Sequence, residues 1–324
     1  MSVAVSPGLA RGALLDANGC VQVLPLALDG SADPAPVERA APRATATFDV
    51  PVTPSGHAPA LQWTAGGDHL VTWGEQNAHG DPAARHRVWT ATGTLVWTGP
   101  LTCDVTVHPA RAQLAFVRAN EVHVGWPGDG FESFDVPGAF GAIEFDPSGE
   151  RLAVGGTGAR IESGSVQDPP IPSFSGGAQL RILDETTGAI LVDANVSDRS
   201  GLAGTWLHRL SWSPDGRRLA FSNGTGHQPG VASAKDGSVL ARVDIVAGRM
   251  AETFAVGWAS DTLFLPGFHV ESMIRIGGTN ESIETGPGFR ARGFELMNSQ
   301  DILLLLDEGL TRFDPVARRV IWQR

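Results

Sequence analysis

The chain has 324 residues and a net charge of −11, from 24 basic and 35 acidic side chains. With 42% hydrophobic residues it can bury a large core, and its Gly and Pro content stays below that of disordered chains. An acidic chain repels phosphate backbones, which argues against a general nucleic-acid binder, and the absence of Tyr excludes phenolic acid–base chemistry.

The sequence shows no signal for a membrane or for export. The longest strongly apolar run, 302–306, is far too short to span a bilayer, and the first residues lack the basic and apolar regions of a signal peptide. Cys20 and Cys103 are too few for a disulfide scaffold. Nearly all basic residues are Arg, which indicates the codon usage of a GC-rich, bacterial-type genome. We therefore expect a cytoplasmic protein.

One phrase recurs along the chain: a short apolar strand, a tight turn and a second apolar strand. Its copies cover 3–16, 61–74, 105–117, 143–156, 210–223, 256–266 and 294–307. In the clearest copy, LSWSPDGRRLAFSN, Pro214 fixes φ at the first corner of the turn and Gly216 accepts a positive φ. Each copy therefore predicts a β-hairpin.

Equivalent residues near the end of the first strand, which we call anchors, set the period of this repeat. The anchors are Val5, Trp63, Val107, Phe145, Trp212, Trp258 and Leu296. Seven units average about 46 residues, which is typical of a four-stranded propeller blade. After the hairpin, each unit should contain a third and a fourth strand. We assign these two strands to 86–97 in the second unit, 179–196 in the fourth and 239–254 in the fifth. The Trp anchors are expected to pack between blades.

The sequence therefore predicts an all-β fold, a single β-propeller of four-stranded antiparallel blades over residues 1–324. Seven blades fit best, with six or eight left open because the terminal units are weak. The expected blades are 1–55, 56–99, 100–138, 139–196, 197–254, 255–286 and 287–324. Because the chain starts in a first strand and ends in a fourth, the ring should close without an exchanged strand.

The phrases WSPDGRRLAF and LRILDETTGAIL resemble the repeats of WD40-like and TolB-type (PD40) β-propeller proteins. The resemblance covers nearly the whole chain. It departs from WD40 repeats because the chain has no Trp-Asp dipeptide and no Gly-His pair before the first strand. The resemblance implies a propeller and leaves the function open, because propellers carry many activities.

Long connections are expected to gather on one face. Segments 74–85, 157–178 and 224–237 join second to third strands, and 197–209 joins two blades. In antiparallel blades these two kinds of connection emerge on the same side, which we call the loop-rich face. Loops on a rigid scaffold commonly carry binding, so we predict a binding surface there. The alternative is that these loops only tolerate insertions.

Aromatic and arginine side chains are the candidate contacts on this face, because these residue types dominate interface energetics. They are Trp206, His208, Phe174, Phe289, Arg290, Arg292 and Arg199. The arginines would suit an acidic ligand, and His208 would reach the central channel. Solvated arginine is the alternative that we favour.

A metal site is conceivable in the loop 74–85, where His79, Asp81 and His86 offer imidazole and carboxylate ligands. Solvated polar loop residues are the favoured alternative. No G-x-S-x-G, H-E-x-x-H or P-loop motif is present, so no catalytic residue is assigned.

The sequence therefore predicts a non-catalytic scaffold that binds a protein or peptide on its loop-rich face, with no cofactor, nucleic acid or membrane. The alternative is an enzyme or small-ligand binder, metal included, at the mouth of the central channel.

Overall fold

The structure is a computed structural model in which the regular secondary structure of the described residues is entirely β-strand. The described residues are 2–6, 11–16, 18–25, 44–51, 60–73, 85–100, 104–158, 160–161, 177–197, 207–223 and 230–242, together with the strands beyond residue 242. Within this part of the chain, no helix has the length and apolarity of a membrane span.

The described strands form seven antiparallel sheets, each made of four strands that are consecutive in the chain. The first two sheets contain β1 (Ser2–Val5), β2 (Arg11–Leu15), β3 (Cys20–Pro25), β4 (Ala46–Asp49), β5 (Ala60–Trp63), β6 (His69–Trp73), β7 (Arg87–Thr90) and β8 (Leu95–Thr98). The next two contain β9 (Val105–Val107), β10 (Leu114–Arg118), β11 (Glu121–Trp126), β12 (Gly130–Asp135), β13 (Ala139–Phe145), β14 (Arg151–Thr157), β15 (Ala178–Asp184) and β16 (Ile190–Asn195). The last three contain β17 (Leu207–Trp212), β18 (Arg218–Asn223), β19 (Gly230–Ser233), β20 (Val239–Arg242), β21 (Gly257–Ala259), β22 (Thr262–Pro266), β23 (Glu271–Arg275), β24 (Ser282–Glu284), β25 (Ala291–Leu296), β26 (Ile302–Leu306), β27 (Gly309–Asp314) and β28 (Arg319–Gln323).

The first strands of the seven sheets form a closed ring. β1 contacts β5, the series continues through β9, β13, β17 and β21 to β25, and β25 contacts β1 again. Four-stranded sheets arranged around an axis make a β-propeller, so the predicted all-β propeller fold is confirmed. Because every sheet uses consecutive strands, no strand is exchanged between the first and last sheets. Each predicted blade range contains one sheet.

A polar side chain just after the anchor closes the turn between first and second strands. The residues at this position in the first five blades are Ser6, Thr64, His108, Asp146 and Ser213. In four of them a side-chain oxygen accepts the backbone N–H five residues later, as from Arg218 to Ser213 Oγ at 2.9 Å. His108 instead accepts two nearer N–H groups with Nδ1. Such side chains favour turns because they hydrogen-bond the local backbone.

The tryptophan anchors join neighbouring blades. Trp212 Nε1 donates to the carbonyl of Glu144 in the preceding blade at 3.1 Å, and the Arg151 guanidinium of that blade lies 4.7 Å from the ring centroid. The same two kinds of contact recur one blade later at Trp258. Trp63, Trp212 and Trp258 are all buried, which confirms their predicted packing between blades.

Glycine is required in the turn between third and fourth strands. Gly93 and Gly188 both adopt positive φ, at 90° and 68°. A Cβ atom at Gly188 would overlap the ring of Phe134 in the preceding blade, and one at Gly93 would overlap the ring of Phe48. Glycine is therefore needed here for two reasons: it adopts the positive φ of the turn, and its lack of a Cβ atom lets the neighbouring blade approach closely.

The structure corrects the strand assignment in the fifth blade. The segment 224–237, expected to be a loop, contains the third strand β19 (Gly230–Ser233). The fourth strand is β20 (Val239–Arg242), where the sequence placed a third strand. The turn at 233–237 ends in glycine, as does the turn at 184–188 between the third and fourth strands of the fourth blade. This matching glycine is the sequence signal for the correct strand assignment.

The strand ends agree with the other predicted insertions. Residues 74–84 precede β7, and 162–176 lie between β14 and β15. These segments lie outside the described residues. The antiparallel strand order puts the connections from second to third strands and from blade to blade at the same end of the sheets, which is the loop-rich face.

Changing Gly188 to Ala is expected to destabilise the protein by at least about 1 kcal/mol more than changing Gly128 to Ala. Both glycines have positive φ, but a Cβ at Gly128 would meet nothing, whereas one at Gly188 would meet Phe134. Urea unfolding of the two variants measures the difference. Equal losses would mean that the contact between blades does not constrain this turn.

Candidate functional site

The first strands alternate between two kinds of residue. Anchors and the residues two before them are apolar, as in Leu210 and Trp212. Residues one and three before the anchor are small or polar, and we call them channel positions. In the first five blades they are Ser2, Ala4, Ala60, Gln62, Asp104, Thr106, Ala142, Glu144, Arg209 and Ser211. Because successive strand residues point to opposite sides, this alternation separates packing between blades from a second surface.

Asp104 shows that this second surface faces the axis. Its carboxylate, in the third blade, lies 3.8 Å from Arg209 Nη1 in the fifth blade. The other carboxylate oxygen accepts the backbone N–H of Ile143, in the fourth blade, at 3.3 Å. Blades that are not neighbours in the ring can meet only where their first strands converge. Asp104 also directly precedes β9, so it lies at the loop-rich end of that strand.

Glu144 brings a second carboxylate to the same region. Its Oε2 accepts the backbone N–H of Trp212 at 3.0 Å, which ties the fourth blade to the fifth. Gln62 makes the equivalent contact between the second and third blades, accepting from Val107 N at 3.3 Å. Glu144 is half-buried, and its Oε1 is not among the buried side-chain atoms that lack a hydrogen-bond partner. Asp104, Glu144 and Arg209 together form what we call the axial cluster.

Burial controls the electrostatics of the axial cluster. It raises the pKa of Asp104 to about 6, although the Arg209 guanidinium opposes that shift. Burial also holds the pKa of the Glu144 carboxyl well above its usual range, with the nearby Asp104 adding to the effect. Among the described residues, two carboxyl groups thus stand near one guanidinium, and desolvation favours the protonated form of each carboxyl.

Two hydroxyl groups accompany these charges. Thr106 and Ser211 occupy channel positions in the third and fifth blades and are only 4% and 6% exposed. Neither hydroxyl is among the buried side-chain atoms that lack a hydrogen-bond partner. They add polar groups to the axial surface without leaving a buried donor or acceptor unsatisfied.

The structure places His86 in the core instead of in a solvated loop. The residue directly precedes β7 and is fully buried, with its ring 4.9 Å from Trp97 and 4.8 Å from Phe116. Burial lowers the pKa of His86 to about 3. The Pro100 backbone faces the ring, but neither ring nitrogen has a partner with hydrogen-bond geometry. His86 therefore fills an aromatic pocket between the second and third blades.

The remaining predicted site residues are not available for a geometric test. His79, Asp81, Trp206, Phe174, Phe289, Arg290 and Arg199 lie outside the described residues. His208 and Arg292 lie within the first strands β17 and β25, not before them, and their side chains are outside the described part. Across the described residues, no group of three or more His, Cys, Asp or Glu could hold a metal ion.

The opposite face carries a cavity of about 490 Å³ between the third and fourth blades. His108, Arg111 and Glu185 line it. The Arg111 guanidinium lies 3.0 Å from the Glu185 carboxylate, and Gln113 donates to the other oxygen of that carboxylate at 2.7 Å. The buried Glu185 carboxylate is therefore already satisfied by protein groups.

Comparison with known proteins supports the fold alone. No family model matches the chain, and no curated protein is similar enough to match it. Among solved structures, the β-propeller domain of Cps50 (Swd1) from Myceliophteria thermophila is similar, with a TM-score of 0.64. The match covers 97% of this chain and 96% of that domain at 13% sequence identity. This likeness agrees with the propeller architecture, whereas no family model or curated sequence supports the TolB type in particular.

Asp104→Asn should change how stability depends on pH. The pKa of Asp104 is raised in the folded state, so the folded protein binds more protons than the unfolded chain between about pH 4 and 6, and wild-type stability falls as pH rises through this range. The variant has no carboxyl at this position and lacks this pH dependence. Its unfolding free energy relative to that of wild type should therefore rise by on the order of 2–3 kcal/mol from pH 4 to pH 7.5.

Denaturant unfolding at these two pH values measures that gain, with Asp184→Asn as the matched control. Hydrogen bonds from Thr187 lower the pKa of Asp184, so the control should lose stability relative to wild type as pH rises. A shift of the same sign in both variants would contradict the assigned burial of Asp104.

His86→Phe should remove a source of acid sensitivity. The lowered folded pKa of His86 means that its contribution to stability is complete above about pH 6.5 and is lost as pH falls toward 3. An apolar ring also removes two unsatisfied nitrogens. The variant should therefore be at least as stable as wild type at pH 8 and more stable than wild type at pH 5. Thermal unfolding at both pH values tests this, and a variant less stable at both would show a polar role for the ring.

Proposed function

We propose that the chain is a non-catalytic WD40-like interaction platform that binds a protein or peptide across its loop-rich face. The observation that carries this proposal is the axial cluster: Asp104, at the loop-rich end of its first strand, lies 3.8 Å from Arg209 two blades away, and Glu144 stands further along the axis, one residue before the end of β13. Charged groups at the mouth of a rigid channel provide a fixed point for recognition.

The surrounding connections support the same face. The chain segments that precede β7, β15 and β17 are long, and each of these strands begins at the loop-rich end of its blade. The candidate contacts Trp206 and Phe174 belong to two of them. A cytoplasmic location and function without a cofactor, nucleic acid or membrane are part of this proposal and rest on the sequence alone.

A second candidate is a small-ligand binder or enzyme that uses the central channel. The observation in its favour is a pair of carboxyl groups at the axis, Asp104 and Glu144, whose pKa values are both raised by desolvation. A carboxyl with a raised pKa is suited to exchange a proton with a bound ligand. This candidate requires no partner on the surrounding loops.

Affinity capture from the native lysate with three baits tests the platform. The first bait is wild type, and the second has residues 162–176 replaced by a short Gly-Ser linker together with Trp206→Ala. The replacement leaves β14 and β15 intact. The third bait, Arg111→Ala with Glu150→Ala, alters the opposite face.

A partner recovered with wild type and the third bait, but reduced at least about tenfold with the second, is the expected result. Equal recovery with all three baits would contradict the loop-rich face as the binding surface. An empty wild-type capture would favour the small-ligand candidate.

A further inference from the structure

The exposed apolar side chains of this protein share one structural position. In the part of the chain whose burial is described, every large hydrophobic residue that is exposed stands in the first two places of a fourth strand. These residues are Leu95 and Val96 in the second blade, Ile190 and Leu191 in the fourth, and Val239 and Leu240 in the fifth. Their recurrence at equivalent places distinguishes them from the scattered apolar residues of an ordinary surface.

A β-bulge accompanies each of these apolar pairs. In the fourth blade the pairing with the third strand passes over Leu191, which is therefore an extra residue. The pairing passes over Leu240 in the fifth blade and Val96 in the second in the same way. A bulge re-aims side chains and interrupts the edge at which another strand could add to the sheet. The outer edge therefore offers apolar side chains at these points, and not a regular strand edge.

The propeller does not require this arrangement. The fourth strands of the first and third blades, β4 and β12, pair with their third strands without a bulge. The exposed side chains of these two strands are polar, as at Thr47 and Glu132. Because these two blades belong to the same ring, exposed apolar pairs are not needed for a blade to form. Apolar surface left in water is favourable only when another molecule covers it.

The pairs of the fourth and fifth blades lie on either side of one contact between blades. The turn that leads to Val239 packs on β16, because a Cβ atom at Gly237 would overlap Val192 and Ala194. Val192 directly follows the apolar pair of its own strand. We call this surface the rim patch, and it consists of Ile190, Leu191, Val239 and Leu240. The pair in the second blade stands alone, because the neighbouring first and third blades lack such a pair.

Carboxylates border the rim patch. Asp184 and Asp236 stand in the turns that lead into the two fourth strands, and Asp193 follows within β16. Hydrogen bonds from Thr187 and Ser238 lower the pKa of Asp184 and of Asp236, so both groups are ionised at neutral pH. Asp193 is 48% exposed although it pairs with an arginine. Its charge therefore remains accessible to a partner.

The bases of the same segments offset little of this charge. Arg181 pairs with Asp193 at 3.2 Å and is itself buried. Arg242 donates to the backbone carbonyls of Val196 and Ser197, at the end of β16. Lys235 is exposed, next to Asp236 in the turn. The surroundings of the rim patch are thus acidic overall, as is the whole chain with its net charge of −11.

We infer that the rim patch docks a short segment of another protein, in which apolar residues are flanked by Lys or Arg. The apolar residues pack against Leu191 and Leu240, and the basic residues approach Asp184 and Asp236. A second copy of this chain is a poor occupant, because it would bring the same carboxylates against each other. Fourth strands begin at the end opposite the loop-rich face, so this surface goes beyond the proposed function and does not depend on it.

Three pools of fluorescein-labelled nonapeptides test the inference by fluorescence anisotropy. The first pool has a core drawn from Leu, Ile and Val with Lys or Arg on both sides. The second keeps this core with Asp or Glu on both sides, and the third keeps the basic flanks around a core of Ser, Thr and Gly. Wild type should bind the first pool at least about fivefold more tightly than either of the others.

Leu191→Ser combined with Leu240→Ser should remove the preference for an apolar core, leaving the first and third pools within about twofold of each other. Both side chains are exposed and belong to no core cluster, so the variant should fold. The matched control is Leu95→Ser combined with Val96→Ser, which changes the equivalent but isolated pair in the second blade. This control should keep the full preference.

Asp236→Asn tests the charge requirement separately. It should reduce the preference for basic over acidic flanks by about twofold to fivefold and leave the preference for an apolar core unchanged. Asparagine keeps an oxygen that can accept from Ser238, so the turn is preserved. Asp129→Asn, in the corresponding turn of the third blade, is the control and should bind all pools as wild type does.

Several results would overturn the inference. Wild type that binds the three pools equally, or binds none of them, has no such docking surface. An equal loss in the second-blade control would show unspecific apolar contact. A wild-type dimer in analytical ultracentrifugation that dissociates in the double serine variant would mean that a second copy covers the patch. Should that variant fail to fold by circular dichroism, an unchanged preference for basic flanks in Asp236→Asn has the same force.

The bait in which residues 162–176 are replaced and Trp206 is changed to Ala separates this inference from the platform. It should bind the three pools as wild type does, because its changes lie at the loop-rich end of the blades. A loss of pool binding in that bait would contradict the location of the rim patch. Intact pool binding beside a failed lysate capture would leave the rim patch standing without the platform.

Discussion

The contact between each first strand and the blade before it is the constraint on which this propeller depends. A four-stranded sheet of this size cannot bury its own faces, so its stability comes from neighbours. The Trp212 contact shows how closely the neighbours are joined: its indole donates to the Glu144 carbonyl, and Arg151 covers the ring. Such contacts fix the distance and tilt of successive blades, and they thereby fix which side chains meet at the axis.

Much of the fold was readable from the sequence because these constraints repeat. Apolar anchors, turn residues and glycines recur at matching places, so hairpins, order of strands and closure could be predicted. The fifth blade was misassigned because β19, GVAS, is short and contains small residues that give little strand signal. Its turn glycine, Gly237, matches Gly188 and marks the correct assignment.

The site was harder to predict, for a physical reason. Loop lengths drew attention to residues that project from connections, whereas the axial cluster stands on strands and depends on blades far apart in sequence. Asp104 and Arg209 are 105 positions apart in the sequence, and they meet only because the blades close into a ring. The sequence did carry one signal. In the first strands, apolar residues alternate with small or polar ones, and this alternation separates the anchors from the channel positions. His86 illustrates the converse, since a histidine beside a polar loop proved to be buried.

The energetics of the axial cluster argue that it serves more than stability. An ion pair removed from water gains little or nothing over apolar residues of the same size, because desolvation offsets the attraction between the charges. The fourth blade has Ala142 where its neighbours have Asp104 and Arg209, so the propeller does not need charge at that position. Glu144 adds a second carboxylate whose raised pKa reflects an unfavourable environment for its charge. The Glu185 carboxylate on the opposite face differs, because Arg111 and Gln113 donate to both of its oxygens and so compensate its burial.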